Sequence, residues 1–319
     1  MRIPIVATLQ RIPGGIMLVP LVIGSLLKTF APGFLDLGSF TTGLFKNGAT
    51  PLIALLILAT GAQITLRQSP KVLLKSGLVL TTKTIIPGLL IIAAGFIFGK
   101  DGFLGLSLLA LMTAFTNSNG GLWIALSSEY GDEADSGAYL ASALDDGPFF
   151  PLLLLGLSGL AAIPAKAVLA AVIPFIIGIA WGNVDDKFQS LMKPVPGIVI
   201  PFFALALGAG IDLRSLATGG VTGILLGAMV VLITGGLAHL GYRYLLREKT
   251  AIGFASGTVA GNAVATPLVV AQADPSFKPF VEIATAQVAA AVLVTAVLAS
   301  FVTSYLAKKY KAQADRSVA

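Results

Sequence analysis

Apolar residues in this chain gather into ten long runs, at 12–30, 47–66, 72–98, 103–127, 136–161, 166–183, 194–213, 218–243, 250–272 and 278–306. Short clusters of glycine, proline and charge separate them, such as Ala31-Pro32-Gly33, Gly99-Lys100-Asp101-Gly102 and Asp274-Pro275. A hydrocarbon core about 30 Å thick takes about 20 apolar residues as a helix, so each run predicts one membrane-spanning helix. The first run passes into Ala31-Pro32 without a small-residue cleavage site, which predicts a retained span and not a removed leader.

An even number of spans puts both termini on one side, and the basic residues then divide unequally. Fourteen fall on the terminal side, among them Arg67, Lys71, Lys75, Arg243, Arg247 and Lys249, against six on the other. Cytoplasmic loops carry the excess of Lys and Arg, so both termini are expected in the cytoplasm. The two halves also share motifs in the same order. Gly61-Ala62-Gln63-Ile64-Thr65-Leu66-Arg67 closes the second run and Gly208-Ala209-Gly210-Ile211-Asp212-Leu213-Arg214 the seventh, both reading GAxIxLR. Val19-Pro20-Leu21-Val22-Ile23-Gly24 in the first run has its counterpart in Ile173-Pro174-Phe175-Ile176-Ile177-Gly178 in the sixth. Five spans per copy is an odd number, so the copies lie upside down relative to each other. The sequence therefore reads as two inverted five-helix repeats, 1–161 and 162–319, which points to an alternating-access transporter.

Composition narrows the class further. Of 319 residues 56% are hydrophobic and only 11% charged, with a mean hydropathy of +0.91. A soluble domain carries about 25% charged residues, so 15 acids and 21 bases cannot cover a soluble globule of this size. The net charge of +6 comes from bases scattered singly near the ends of runs. That pattern predicts the lipid bilayer, not a nucleic acid, as partner. The absence of cysteine excludes disulfides and thiolate metal sites, and the single histidine, His239, lies late in an apolar run. Nucleotide-binding loops, serine-nucleophile elbows and HExxH zinc motifs are missing from the sequence. No enzyme activity, metal or cofactor is expected, and uphill transport would draw on an ion gradient.

Polar groups within a bilayer are costly, so their positions carry information. The fourth run contains Thr116-Asn117-Ser118-Asn119-Gly120-Gly121, and the ninth contains Gly257-Thr258, Gly261-Asn262 and Thr266-Pro267. Asparagine, hydroxyl and glycine clusters weaken a helix interior and Pro267 frees a carbonyl, so both runs predict broken helices. Unwound backbone at that depth is tolerated where it lines a cavity, which makes Asn117, Ser118, Asn119, Thr258 and Asn262 candidate substrate ligands. The fifth run holds Asp145-Asp146-Gly147-Pro148 near its middle. These two acids are the candidate proton-coupling groups, with Asp145 favoured. Lys83 in the third run is read as counter-ion to an aspartate, and Gln287 in the tenth as a further substrate ligand. Counted along their helices, these residues fall at one depth. Arg11, beside Ile12-Pro13-Gly14-Gly15, is assigned either to phospholipid or to an anionic substrate. The acidic stretch Glu129, Asp132, Glu133 and Asp135 is expected to be a solvated loop.

Several of these segments together resemble a known family. They are Gln10-Arg11-Ile12-Pro13-Gly14-Gly15, Asn119-Gly120-Gly121-Leu122, Asp145-Asp146-Gly147-Pro148, Ile200-Pro201-Phe202-Phe203 and Pro267-Leu268-Val269-Val270-Ala271-Gln272. In this order, along essentially the whole chain, they resemble the bacterial 2-keto-3-deoxygluconate permeases. The resemblance implies a proton symporter importing that small anionic sugar acid through the inner membrane. A Glu-Ser pair can stand in that family where this chain has Asp145-Asp146, which favours Asp145 over Asp146 for coupling. More distantly, the plan is similar to bile-acid sodium symporters and sodium/proton antiporters. That likeness implies an all-α membrane protein in which broken helices 4 and 9 cross. Spans 3–5 and 8–10 would form a core, and spans 1, 2, 6 and 7 a panel. A sodium-coupled organic-anion symporter and a passive anion facilitator remain as alternatives, and the sequence carries nothing on oligomeric state.

Overall fold

The computed structural model describes residues 4–10, 15–65, 69–211 and 213–318, and every regular element among them is helical. The principal helices are α1 (Gly15–Phe30), α2 (Ala49–Ala62), α3 (Pro70–Phe98), α4 (Leu108–Phe115) and α5 (Gly120–Tyr130). They continue with α6 (Tyr139–Leu144), α7 (Phe149–Ser158), α8 (Ala165–Val184), α9 (Val195–Gly208), α10 (Ala217–Tyr244), α11 (Thr266–Ala273) and α12 (Val281–Val318). Among the described residues six helices are long and apolar enough to cross a membrane, and up to eight if each of two sharply bent pairs counts as one span. Two of the ten expected runs are not among these. The first is described over the 16 residues of α1, and the fourth is cut into α4 and α5 by the Thr116–Asn119 stretch. Large apolar side chains such as Ile97, Leu157, Leu232 and Phe301 stand exposed around the outside, where acyl chains would cover them.

Close helix pairs are built on glycine, because in lipid association rests on packing and not on apolar burial. A methyl added at Gly24 would meet the Leu205 carbonyl oxygen at 2.3 Å, and one at Gly208 the Leu21 carbonyl oxygen at 2.0 Å, so α1 and α9 touch backbone to backbone. Helices α2 and α8 do the same at Gly61 and Gly178. A third seam joins α10 to α12, where Gly219, Gly223 and Gly227 recur every four residues along one face.

Helices α3 and α10 each contain one π-helical turn, at Thr81–Ile85 and Val231–Gly235. In both, a threonine hydroxyl, Thr82 or Thr234, donates back to a carbonyl one turn earlier, Leu78 or Val230. Such turns recur at functional sites. Chain breaks follow the sequence's polar clusters. Ser107 and Asn119 cap the starts of α4 and α5 by accepting from the Ala110 and Leu122 amides. The segment expected as the ninth span is mostly 3-10 turns, Ile252–Ser256 and Gly261–Ala265, and only α11 is α-helical.

The acidic stretch at 129–135 is not a simple solvated loop. Asp132 and Asp135 form a reciprocal cap on the turn Glu133–Gly137, and Asp135 is buried. The ammonium of Lys75, itself 1% exposed, lies 3.0 Å from Asp132, 2.7 Å from Asp135 and 2.8 Å from Glu248. Tyr242 donates to Asp135 at 2.9 Å. These three carboxylates could otherwise surround a metal ion, but the lysine nitrogen takes that place. On the opposite face Asp274 accepts from the Ala162 amide and from Ser276, while Lys100 donates to Ser276. Burial works to raise the pKa of Asp132 and of Asp274, but it is outweighed. Hydrogen bonds from Lys71 and Lys75 hold Asp132 below the ordinary carboxylate value, and those from Ser276 and Ala162 hold Asp274 there. Both groups stabilise the fold above that ordinary value, and the contribution fades as pH falls through the lowered one.

Two stability predictions follow from this packing. Gly208→Val is expected to lower the melting temperature of the purified protein by the equivalent of about 1–3 kcal/mol, while Gly77→Ala, where an added methyl meets nothing within 4 Å, leaves it unchanged. Lys75→Met strands the buried carboxylate of Asp135 and is expected to destabilise by about 3–5 kcal/mol in the same melting experiment.

Candidate functional site

The centre of the molecule is organised around two places where helix gives way. Helix α4 stops at Phe115 and the chain runs unwound to Asn119, where α5 begins. Opposite it, the chain is unwound between the turns Ile252–Ser256 and Gly261–Ala265. The two breaks meet: the Asn119 amide donates to Thr258 Oγ1 at 3.1 Å, and the Val259 amide to Thr295 at 3.1 Å. Unpaired backbone at this depth would be costly, so these side-chain acceptors are what make the crossing tolerable.

A third break, Asp145 to Pro148, bends the fifth run by 56° between α6 and α7. Gly147 takes φ +96°, a conformation that favours glycine. Because the helix ends at Leu144, the two aspartates are free to point in different directions. Asp145 is 2% exposed and accepts from the Ser118 amide at 3.1 Å, the Ser118 hydroxyl at 2.6 Å and the Thr84 hydroxyl at 2.8 Å. Asn117 and Gly147 exchange two hydrogen bonds, at 3.0 and 2.8 Å. Asp145 and Asn117 are therefore clamps that fasten the first break to the third and to the π turn of α3. Lys83 lies beside Thr84 in that turn, fully buried, and donates to the Ala114 carbonyl at 3.0 Å. The hydrogen bonds of Asp145 come from Ser118 and Thr84, not from this lysine.

Asp146 faces the other way. Thr60 of α2 donates to its Oδ2 at 3.3 Å and the Asn262 side chain stands beside the carboxylate, while its buried Oδ1 accepts no well-aligned hydrogen bond among the described residues. It lines a cavity of about 330 Å³, at the small end of the range for small-molecule sites, about 300–1,000 Å³. Asn119, Gly120 and Gly121 form one wall of this cavity, Gly261 and Asn262 another, and Leu56, Thr60 and Ile200 of α2 and α9 close it.

The sequence-derived candidates thus divide. Ser118, Asn119, Asn262 and Asp146 line the cavity, with the Ser118 hydroxyl engaged by Asp145. Asn117, Thr258 and Asp145 stand behind it as supports. Gln287 is elsewhere: it donates to the Gly105 carbonyl and to Thr222, near the start of α4. Depth counted along one helix does not fix a residue's level relative to the break. Arg11 lies outside the described residues. Three polar residues of the cavity, Thr60, Tyr139 and Ser142, were not singled out from sequence. For Tyr139 and Ser142 the signal is their spacing of three, which puts both on one face of α6.

The family pattern of the 2-keto-3-deoxygluconate permeases matches residues 6–312. The chain belongs to that family. It is 44% identical over 307 residues to 2-keto-3-deoxygluconate permease 1 of Salmonella typhimurium, covering 96% of each chain. The 2-keto-3-deoxygluconate permease of an Enterobacter species is 39% identical over 310 residues, covering 95% of this chain and 93% of that one. An Escherichia coli permease of the same name is 38% identical over 315 residues, covering 97% and 96%. Membership makes the protein a multi-pass membrane permease and not an enzyme, and bears out the resemblance seen in the segments from Gln10 to Gln272.

The absence of native cysteine makes the cavity directly testable. A water-soluble thiol reagent is expected to modify Asn262→Cys completely and to leave Gln287→Cys unmodified, as read by intact mass spectrometry of the folded protein.

Proposed function

We propose that this permease imports 2-keto-3-deoxygluconate together with protons across the bacterial inner membrane, by alternating access. The carrying observation is the position of Asp146, whose carboxylate has a buried oxygen without a well-aligned hydrogen bond in a polar cavity between two helix breaks. The relatives' names supply the substrate, and the cavity's size suits a six-carbon acid. A charged Asp146 repels an anionic ligand in a site of low dielectric, and a protonated one does not. Proton and substrate then load together. Symport follows if only the empty or the doubly loaded site crosses at low cost. No cofactor beyond this coupling ion is required.

The same reading takes the chain as ten spans in two inverted repeats, 1–161 and 162–319. Counting α1 and the broken pair α4–α5 with the eight spans gives ten. The matched features support the repeat. The π turns fall in the third and eighth spans and the central breaks in the fourth and ninth. The glycine seams are reciprocal, first span with seventh and sixth with second. Spans 3–5 and 8–10 would form a core and spans 1, 2, 6 and 7 a panel, with the cavity between them. Both termini then lie in the cytoplasm, as the excess of Lys and Arg on their side suggests.

Proteoliposomes with imposed gradients test this. Wild type is expected to concentrate the sugar acid under an inward proton gradient. Asp146→Asn is expected to retain downhill flux and lose accumulation by at least about tenfold. Accumulation by Asp146→Asn equal to wild type, or driven by a sodium gradient at fixed pH, would overturn proton coupling through this residue.

A further inference from the structure

One wall of the cavity carries hydrogen-bond donors that find no acceptor among the described residues. Helix α5 is 11 residues long and begins at Gly120. The first amides of a helix have no intrahelical partner. Asn119 satisfies the Leu122 and Trp123 amides through its side chain and its carbonyl. The Gly120 and Gly121 amides make no hydrogen bond among the described residues, and both glycines line the cavity. A helix N-terminus alone would be a weak sign, but a second donor stands beside it. Ser142 of α6 lines the same cavity, is 2% exposed, and its Oγ is buried without a partner. A buried hydroxyl left unpaired is costly, which favours a ligand that pairs it.

Packing holds these donors together as one unit. A methyl on Gly120 would meet the Tyr139 ring at 2.5 Å and Ser142 Cβ at 3.5 Å, so α5's first turn sits directly on α6. A methyl on Gly121 would have only Asn119 Oδ1, at 3.6 Å, within reach, so that side of the turn is open. Asp146 follows Ser142 by four residues and lines the same cavity.

We infer that the ligand's carboxylate is gripped by the Gly120 and Gly121 amides and the Ser142 hydroxyl, with Ser142 a specificity-determining residue. The inference rests on the transport reading above and deepens it. Aligned amides carry partial positive charge and complement a carboxylate, whereas a neutral sugar gains little from them. The polyol end of the acid then points toward Asn262 and Thr60. Tyr139 acts as a positioning residue that sets the separation of α5 from Ser142.

Calorimetric binding to the full-length protein in nanodiscs tests this, with 2-keto-3-deoxygluconate and its methyl ester as probes. Wild type is expected to prefer the acid. Ser142→Ala is expected to weaken the acid about tenfold to hundredfold and leave the ester unchanged. Ser142→Thr, which keeps the hydroxyl, restores the preference. Gly121→Ala, which adds a methyl in open space, blocks the amides with the same selectivity and an unchanged melting temperature. Acid binding by Ser142→Ala and Gly121→Ala equal to wild type would sink the inference while leaving coupling through Asp146 standing. Equal loss of acid and ester would assign Ser142 to the polyol instead and overturn the carboxylate placement. If wild type binds neither probe, the transport reading fails and the inference with it.

Discussion

The carboxylate of Asp145 accepts three hydrogen bonds, two from Ser118 and one from Thr84, and the architecture around the cavity depends on them. A chain that leaves the helix inside a membrane must find partners for its freed amides. Asp145 supplies one, and ties together three segments far apart in sequence: the π turn of α3, the break before α5 and the bend after α6. Asn117 closes the same joint from the other direction through Gly147. With Asp145 and Asn117 engaged in this way, Asp146 is turned toward the cavity, and the α5 amides are presented there. Adjacent carboxylates in one motif thus have opposite environments, one saturated by the fold and one partly unsatisfied.

Much of this was legible in the sequence, for physical reasons. Apolar runs reveal membrane helices because lipid imposes their length, and the clusters at 116–121 and 257–262 reveal breaks because their residues compete poorly for helix. The family was readable because its segments keep their order over the whole chain. Division of labour within the clusters was not readable. Residue type says that Asn117, Ser118 and Asp145 are polar at depth, but not that they satisfy one another. Nor does residue type tell Asp145 from Asp146, whose opposite settings arise because the helix ends just before them, at Leu144. Ser142 and Tyr139 escaped notice because a hydroxyl in an apolar helix usually bonds its own backbone. Gln287 bonds to Gly105 and Ser107 at the start of α4 and to Thr222 of α10, while the break lies at the far end of α4, so counting along one helix did not fix its level.

Two polar staples brace opposite faces of the molecule. Lys75 with Asp132, Asp135 and Glu248 joins the start of α3 to two loops, and Asp274 with Ala162, Ser276 and Lys100 joins three loops on the other side. In the proposed architecture both fall within or beside the core, so they would stiffen that unit. The contacts to α2, such as Thr60 to Asp146 beside the cavity and Gln272 to Thr50 away from it, are single hydrogen bonds by comparison. A rigid body held to its neighbour by few polar contacts is what a moving element requires.

The Lys75 staple also constrains how the protein is made. Its ammonium is enclosed by groups from residues 132, 135 and 248, so the lysine reaches its final partners only after most of the second half has been synthesised. At about 5–20 residues per second, the ribosome delivers Glu248 on the order of 10–30 s after Lys75. Asp132 and Asp135 reach the lysine first, and the cage at the amino end of α3 is complete only when Glu248 docks from the second half of the chain.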